Sequence, residues 1–330
     1  MEAQVYDVVV VGGGAAGLSA ALVLGRARRR VAVVDAGQPR NAPAEHMQGF
    51  LSRDGMPPAE LLAAGRAEVR GYGVEVLADR VTGIEPGFYV RLAGGPVLRA
   101  RRVLVTTGVS DELPDVPGLR QRWGRDLLHC PYCHGWEVRD QPLGVLGTHE
   151  GTVQHALLVR QWSADVVFFA HTLTVTPAEH RQLRSRGIKL VTGEVTGLVV
   201  EDDRLTGVSL ADGRTVPRSA VFVRPVNVPR PDGLLAHLGC ELDEAGFPMT
   251  DRSGQTSAFG VWVAGNAADP RAQVITSAGA GSAAAIAINA DLVTEDVERA
   301  VEDSDAGDPF SPAMEARGAE ASAGDRRHGL

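Results

Sequence analysis

Four consecutive apolar residues, Val8 to Val11, lead into Gly12 to Gly17, then into Leu18 to Leu24 with helical spacing, then into the apolar run Val31 to Asp35. Short apolar runs punctuated by glycine turns read as strands, so this stretch predicts a βαβ unit. The pattern returns at Leu143 to Leu146, Gly147 to Gly151, the helical Val153 to Gln161 and the strand Asp165 to Phe169. Between the two units Phe88 to Leu92 and Val103 to Thr106 are strand-like, and the Pro- and Gly-marked segment Leu113 to Gly118 reads as a linker. Further on, Gly197 to Leu210 predicts a hairpin turning at Glu201 to Asp203, while Val261 to Asn266 and a helix after Gly279 complete the first unit. A chain of 330 residues has material for two cores. The expected architecture is α/β, with two Rossmann-like three-layer domains. Residues 1–115 and 246–300 form a discontinuous first domain, 116–245 an inserted second one, and 301–330 a disordered acidic tail.

Composition narrows the functional classes. Hydrophobic residues are 44% of the chain and charged ones 22%, which is ordinary for a globular protein. The formal net charge is −8, but residues 295 to 330 hold ten acids and four arginines, so −6 of it belongs to the C-terminal stretch. No basic stripe runs along the body, and a nucleic-acid partner is not expected. The longest uncharged stretch, Ala272 to Ala290, is interrupted by Gln273, Thr276, Ser277, Ser282 and Asn289 and reads as a closely packed helix, not a membrane span. Val8 to Val11 is far too short for a signal-peptide core, so a cytoplasmic location is expected. Three cysteines in a reducing compartment point to metal binding, redox catalysis or burial instead of a disulfide framework.

Gly12-Gly13-Gly14-Ala15-Ala16-Gly17 fits G-x-G-x-x-G directly after a strand and at the opening of a helix. The first glycine permits the tight turn, the second lets a pyrophosphate approach the backbone, and the third lets helix and strand pack closely. Asp35, 18 residues past Gly17, is placed to accept hydrogen bonds from a ribose. Thr106-Thr107-Gly108 and Val263-Ala264-Gly265-Asn266 each follow a strand, and the second precedes Ala278-Gly279-Ala280-Gly281.

These three segments, in this order, resemble the two-domain flavoprotein disulfide reductases, specifically the thioredoxin reductase-like family. The resemblance implies FAD held by Gly12, Gly14, Ala15, Ala16, Gly17, Asp35, Thr107, Gly108, Gly265, Asn266 and Gln273. The family's usual Asp on the flavin side chain is Asn266 here, which keeps an acceptor and loses the charge. The expected Arg-Gln pair reads Ala272-Gln273.

Cys130-Pro131-Tyr132-Cys133-His134 is suited to dithiol chemistry, because the two sulfurs can close a bond across a short turn. A half zinc site would use His129, Cys130, Cys133 and His134, but no second pair follows and Cys240 stands alone. C-x-x-C-H also spells a c-type haem attachment, a reading at odds with a cytoplasmic flavoprotein. The pair's position just before the second βαβ unit matches the thioredoxin reductase-like family. That resemblance implies Cys133 facing the flavin and Cys130 meeting substrate. His134 stands where most members have Asp, as in the branch that includes gliotoxin- and holomycin-type dithiol oxidases. An imidazole there can take a proton from an incoming thiol and return it. His129 is open between substrate contact and structure, Trp136 is expected in the core beside the pair, and Cys240 is expected to be buried.

In the family the second βαβ unit takes NADPH. Here Gly147-Thr148-His149-Glu150-Gly151-Thr152 puts His149 at the second glycine and a negative charge at Glu150, and no arginine pair follows Phe169. These features oppose NADPH. The favoured expectation is a homodimeric, FAD-dependent dithiol oxidase in which electrons pass from a substrate dithiol through Cys130 and Cys133 to FAD, then to oxygen or another acceptor. The substrate is a small-molecule dithiol or a thioredoxin-like protein. The alternatives are an NAD(P)H-dependent thioredoxin-disulfide reductase and a redox-sensing flavoprotein without sustained turnover.

Overall fold

The computed structural model describes residues 4–307. The chain begins with β1 (Gln4–Val11), α1 (Ala15–Arg26), β2 (Val31–Asp35), α2 (Pro58–Gly71), β3 (Glu75–Ala78), β4 (Val81–Glu85), β5 (Tyr89–Leu92), β6 (Val97–Val105) and β7 (Val109–Glu112). It continues with α3 (Leu119–Arg122), β8 (Leu127–Leu128), α4 (Pro131–His134), β9 (Leu143–Leu146), α5 (Thr152–Val159), β10 (Val166–Phe169), α6 (Pro177–Ser185) and β11 (Lys189–Val191). Then come β12 (Val195–Glu201), β13 (Arg204–Leu210), β14 (Thr215–Pro217), β15 (Ala220–Val223), β16 (Val226–Pro229), α7 (Leu234–His237), β17 (Val261–Val263) and α8 (Val274–Gly307).

The first sheet has the order β3-β2-β1-β6-β5-β4, with β17 also on β6, and its centre is parallel. Such a strand must bury both faces, which explains the unbroken valine run of β1. Val8 and Val10 join α1 and α8 in one core, while Val9 and Val11 join Val81, Val90 and Leu234 in the other. The second sheet, β11-β10-β9-β15-β8, is parallel throughout. Val145, Phe168 and Phe222 pack on Val153, Ala156 and Leu183 of its helices, and Leu146, Phe169 and Val223 pack on the antiparallel β12-β13-β14 layer. The hairpin turns at Asp202 and Asp203, both at positive φ. The fold class is α/β with two three-layer units.

The chain crosses between the sheets twice, and the two crossings pair with each other: β7 and β16 are antiparallel, with Glu112 opposite Val226 and Asp111 opposite Asn227. By Leu234 the chain already contributes to the first sheet's core, ahead of the return near residue 246 read from the sequence.

Helix α8 differs from its sequence reading at both ends. It starts at Val274, not after Gly279. Gly281 lies inside it because α1 approaches there: a Cβ on it would sit 2.0 Å from the Ala16 carbonyl oxygen, whereas one on Gly279 would meet nothing within 4 Å. At the other end it runs to Gly307, so residues 301–307 of the expected tail are helical, while 308–330 lie outside the described residues. Ion pairs tie the helix down in the turns before this stretch. Arg29, Arg101 and Arg102 form ion pairs with Asp291, Glu295 and Asp296 on it, and Glu295 and Arg299 pair one turn apart. Among the described residues no helix is long and apolar enough to cross a membrane.

Candidate active site

Dinucleotide geometry is built by the β1–α1 turn. Gly12 has φ +108°, and a Cβ on it would lie 2.5 Å from the Thr106 carbonyl oxygen. Thr106 Oγ1 donates to the carbonyls of Val11 (3.0 Å) and Gly12 (2.8 Å), fixing the turn from the end of β6. A Cβ on Gly17 would meet Gly12 O at 2.0 Å, so this glycine serves helix–strand packing and does not line the cavity. Gly14 is different. A Cβ there meets nothing within 4 Å, leaving backbone open to a ligand.

The opening faces a cavity of about 560 Å³ that gathers Gly12, Gly14, Ala15, Ala16, Asp35, Thr107, Gly108, Gly265, Asn266 and Gln273, together with Cys130, Cys133 and His134. Among the predicted site residues, Gly17 alone stays outside it. Asp35 ends β2 beside the turn, with one carboxylate oxygen accepting from Gly37 N at 3.2 Å. Asn266 spends its amide hydrogens on the carbonyls of Asp269 (3.0 Å) and Ala272 (2.9 Å), which leaves its side-chain oxygen as the free acceptor. Open glycine backbone, a helix N-terminus, a carboxylate at the next strand end and an amide acceptor together fit a dinucleotide such as FAD.

Sequence reasoning missed the loop 38–48 that walls this cavity. Arg40 within it makes two hydrogen bonds to Asp111 (2.8 and 2.6 Å) and one to Pro270 O (2.7 Å), while Asn227 donates to the same Asp111 at 2.7 Å. Asp111 and Asn227 face each other on β7 and β16, so the floor of the site is tied to the double crossing. The only sequence signal was an arginine among prolines.

The cysteine pair occupies α4, a single turn with Cys130 at its N-cap and Pro131 at its first position. Cys130 and Cys133 are disulfide-bonded, with Cα atoms 5.2 Å apart. Cys133 N–H donates to Cys130 Sγ at 3.1 Å, a contact that favours negative charge on that sulfur. Gly135 continues the turn because Trp162 presses on it: a Cβ there would lie 2.8 Å from the indole. Trp162, not Trp136, is thus the tryptophan packed against this turn. Trp136 is 66% exposed and carries the Arg139 guanidinium 4.1 Å over its ring. Tyr132, also exposed, meets Trp162 edge-on at 5.5 Å. Cys133 additionally borders an outer cavity of about 220 Å³ with Gln48, Asp54, Tyr132, Trp136 and Glu137.

Burial lowers the His134 pKa below the usual histidine value, opposed by Glu137. His129 is pushed down to about 4, first by burial and then by the Arg40 charge. His155, which sequence reasoning overlooked as one residue of an apolar helix, lines the same cavity and is pushed down to about 3 by burial. Its ring stacks on His129 with centroids 6.4 Å apart. Cys240 is buried, with Sγ 3.5 Å from Thr256 Oγ1, as expected. No group of three or more His, Cys, Asp or Glu side chains is arranged for a metal among the described residues, so the half zinc site finds no further ligands.

The second glycine turn is closed upon itself. A Cβ on Gly147 would lie 2.8 Å from Ala170 O, and one on Gly151 3.0 Å from the Arg224 guanidinium. Thr152 Oγ1 donates to His149 O at 2.6 Å, and His149 Nδ1 lies 2.7 Å from Glu150 O.

Residues 6–284 match the model of the pyridine nucleotide-disulphide oxidoreductase family. The chain is 31% identical over 308 residues to thioredoxin reductase sirT of Leptosphaeria maculans, spanning 87% of this chain and 94% of that protein. It is 28% identical to a thioredoxin reductase of Streptomyces coelicolor, over 86% and 92% of the two chains. Among solved structures, HlmI is 61% identical and superposes with a TM-score of 0.88 over 90% of this chain and 96% of that one. An oxidoreductase from Agrobacterium tumefaciens is 34% identical with a TM-score of 0.84, over 88% and 99%.

Proposed function

Because the chain belongs to the pyridine nucleotide-disulphide oxidoreductase family, and is an FAD-dependent oxidoreductase acting on sulfur groups, we propose that it is a dithiol oxidase using Cys130 and Cys133. The observation that carries this reading is the contrast between the two glycine turns. Gly14 leaves open backbone at the second position of the first turn, whereas the same position of the second turn carries the His149 side chain, followed by the negative charge of Glu150. Such a chain takes its electrons from thiols, not from a nicotinamide.

A substrate thiolate attacks Cys130 Sγ, and the electron pair of the enzyme's S–S bond moves onto Cys133. The second substrate thiolate then attacks the substrate sulfur of the mixed disulfide and releases Cys130, so the substrate leaves as a disulfide and the protein holds two reduced sulfurs. His134, next to Cys133, holds a proton during the exchange. Bound FAD supplies the two-electron acceptor that returns the pair to the disulfide. Gly12 to Ala16, Asp35, Thr107, Gly108, Gly265, Asn266 and Gln273 would hold it, with Gly17 packing the helix onto the strand behind them.

The substrate is a small-molecule dithiol or a thioredoxin-like protein. Two of the relatives are thioredoxin reductases, which favours a second reading, a thioredoxin reductase that would need the second turn to open. We take the protein as a cytoplasmic homodimer of two-domain chains. The exposed apolar line Ile286, Val293, Val297 and Val301 on α8 supports association.

The test is an anaerobic titration of the holoenzyme with NADPH, NADH and dithiothreitol, following the flavin's visible absorbance. Bleaching by the dithiol alone, with colour returning on admission of air, is the expected result. Rapid bleaching by low NADPH would replace the oxidase with the reductase.

A further inference from the structure

Two-electron oxidation of a dithiol releases two thiol protons, and the cavity holds more imidazole than the scheme above uses. His129 precedes Cys130, and His155 reaches the same cavity from α5. The rings of Trp123, His129 and His155 form a near-parallel column, with centroids 6.5 and 6.4 Å apart and interplanar angles of 18° and 16°, backed by Phe222. His155 is 8% exposed, and its Nε2 is sealed from solvent without a hydrogen-bond partner. Leaving a buried polar atom unsatisfied costs stability, so a phenylalanine would be the better packing residue there.

Burial first, and then the surrounding positive charges, keep both rings neutral. His129 faces Arg40, Asp111, Arg224 and His134, and His155 faces His129, Arg224 and His149. Arg40 is neutralised by its two bonds to Asp111. Arg224 has no acidic partner among the described residues, and its one side-chain bond is a long contact of 3.4 Å to Gly151 O. The inner end of the cavity therefore offers the His129 ring and the Nδ1 edge of His155, whose Nε2 is sealed, as bases under a positive potential, conditions that favour a thiolate.

Resting on the dithiol oxidase reading, we propose that His129 and His155 are the two proton acceptors of substrate oxidation, one for each thiol. His129 takes the proton of the first thiol as its sulfur bonds to Cys130 Sγ and the Cys130–Cys133 bond breaks toward Cys133. His155 takes the proton of the second thiol as that sulfur attacks the mixed disulfide and Cys130 leaves as a thiolate. Cys130 then recovers its proton from His129, and the proton on His155 passes to Cys133 or to water. A base of low pKa is a poor proton sink alone. Each transfer creates an imidazolium–thiolate pair, and Arg224 lowers the thiolate's energy.

A monothiol separates the two steps in time, since it makes the mixed disulfide directly, whereas resolving it takes a second molecule in place of dithiothreitol's intramolecular attack. The holoenzyme and its His129→Gln and His155→Phe variants are mixed anaerobically with 2-mercaptoethanol or dithiothreitol across pH 6 to 8, and the products are quenched, alkylated and weighed by mass spectrometry. General-base loss is expected to slow a step about 100-fold at the acid end. His129→Gln should lose this on mixed-disulfide formation by either thiol. Its rate should then climb about tenfold per pH unit, because only preformed thiolate reacts. His155→Phe, which keeps the ring column, should form the mixed disulfide normally and lose a similar factor on its resolution by dithiothreitol. Wild-type rates and pH slopes in both variants would overturn the proposal, and equal slowing of both steps in His155→Phe would reduce His155 to packing. If the wild type itself is not reduced by dithiols, the oxidase reading fails first.

Discussion

Gly14→Ala separates a glycine kept for a ligand from one kept for the fold. Gly14 has φ −78° and ψ −171°, an extended conformation that alanine adopts without strain. A Cβ there touches no protein atom within 4 Å. The apo chain should therefore lose nothing and gain about 0.4–1 kcal/mol from the stiffer unfolded state. The methyl projects into the cavity where the dinucleotide's phosphates approach the backbone. Overpacking a close contact costs about 1–3 kcal/mol, which lowers FAD affinity about 5- to 150-fold. Gly17→Ala is the control: its Cβ would lie 2.0 Å from the Gly12 carbonyl oxygen, a backbone atom that can yield only by opening the turn. That variant should lose stability before it loses anything else. Denaturant unfolding of the apo proteins and fluorescence titration with FAD measure the two effects separately. Wild-type FAD affinity in Gly14→Ala would refute the placement of the pyrophosphate over that turn.

Gly281→Ala should destabilise the first unit by at least about 1–3 kcal/mol in a denaturant melt, because its Cβ would lie 2.0 Å from Ala16 O where α8 crosses α1. Acid should weaken the fold through the buried imidazoles. His129 and His155 are neutral when folded, with pKa values near 4 and 3, and titrate near 6.5 when unfolded. Between those values the unfolded chain binds more protons, so each residue removes about 1.4 kcal/mol of stability per pH unit as pH falls below about 6.5. Melting curves from pH 7 to 4 should show this slope, and His155→Phe should be less acid-sensitive than wild type. An identical slope in that variant would mean His155 is not held neutral.

The sequence was most legible where one physical demand dominates a short window. A strand buried on both faces needs an unbroken apolar run, and β1, β2, β9 and β10 show it. A turn with φ +108° at Gly12 needs glycine, and a redox pair across one helical turn needs two intervening residues. Partners distant in sequence were not legible. Trp136 and Trp162 are equally apolar, and only the folded packing shows that Trp162 is the one set against Gly135 and Tyr132 beside the pair. The Arg40–Asp111–Asn227 network joins residues more than a hundred positions apart. His155 is a lone polar residue in an apolar helical window, and only the fold brings His129 and Phe222 against its ring, with Trp123 beyond His129. The start of α8 was misplaced because a glycine that admits another helix looks locally like one that begins a helix.

The paired crossings β7 and β16 bear on how such a chain can arise and be rebuilt. Because Glu112 and Val226 are ladder partners, everything from residue 113 to 225 departs from and returns to neighbouring points. The interruption is thus equivalent to one long loop on a hairpin, and closing it costs the host little geometry: a tight turn of two to four residues joining β7 directly to β16 would leave the first sheet's connectivity unchanged. A gene carrying the second unit can be spliced into, or out of, a pre-existing host without re-registering any host strand. The excised piece, with its ends already side by side, is a natural starting point for circular permutation or for grafting the cysteine turn onto another scaffold.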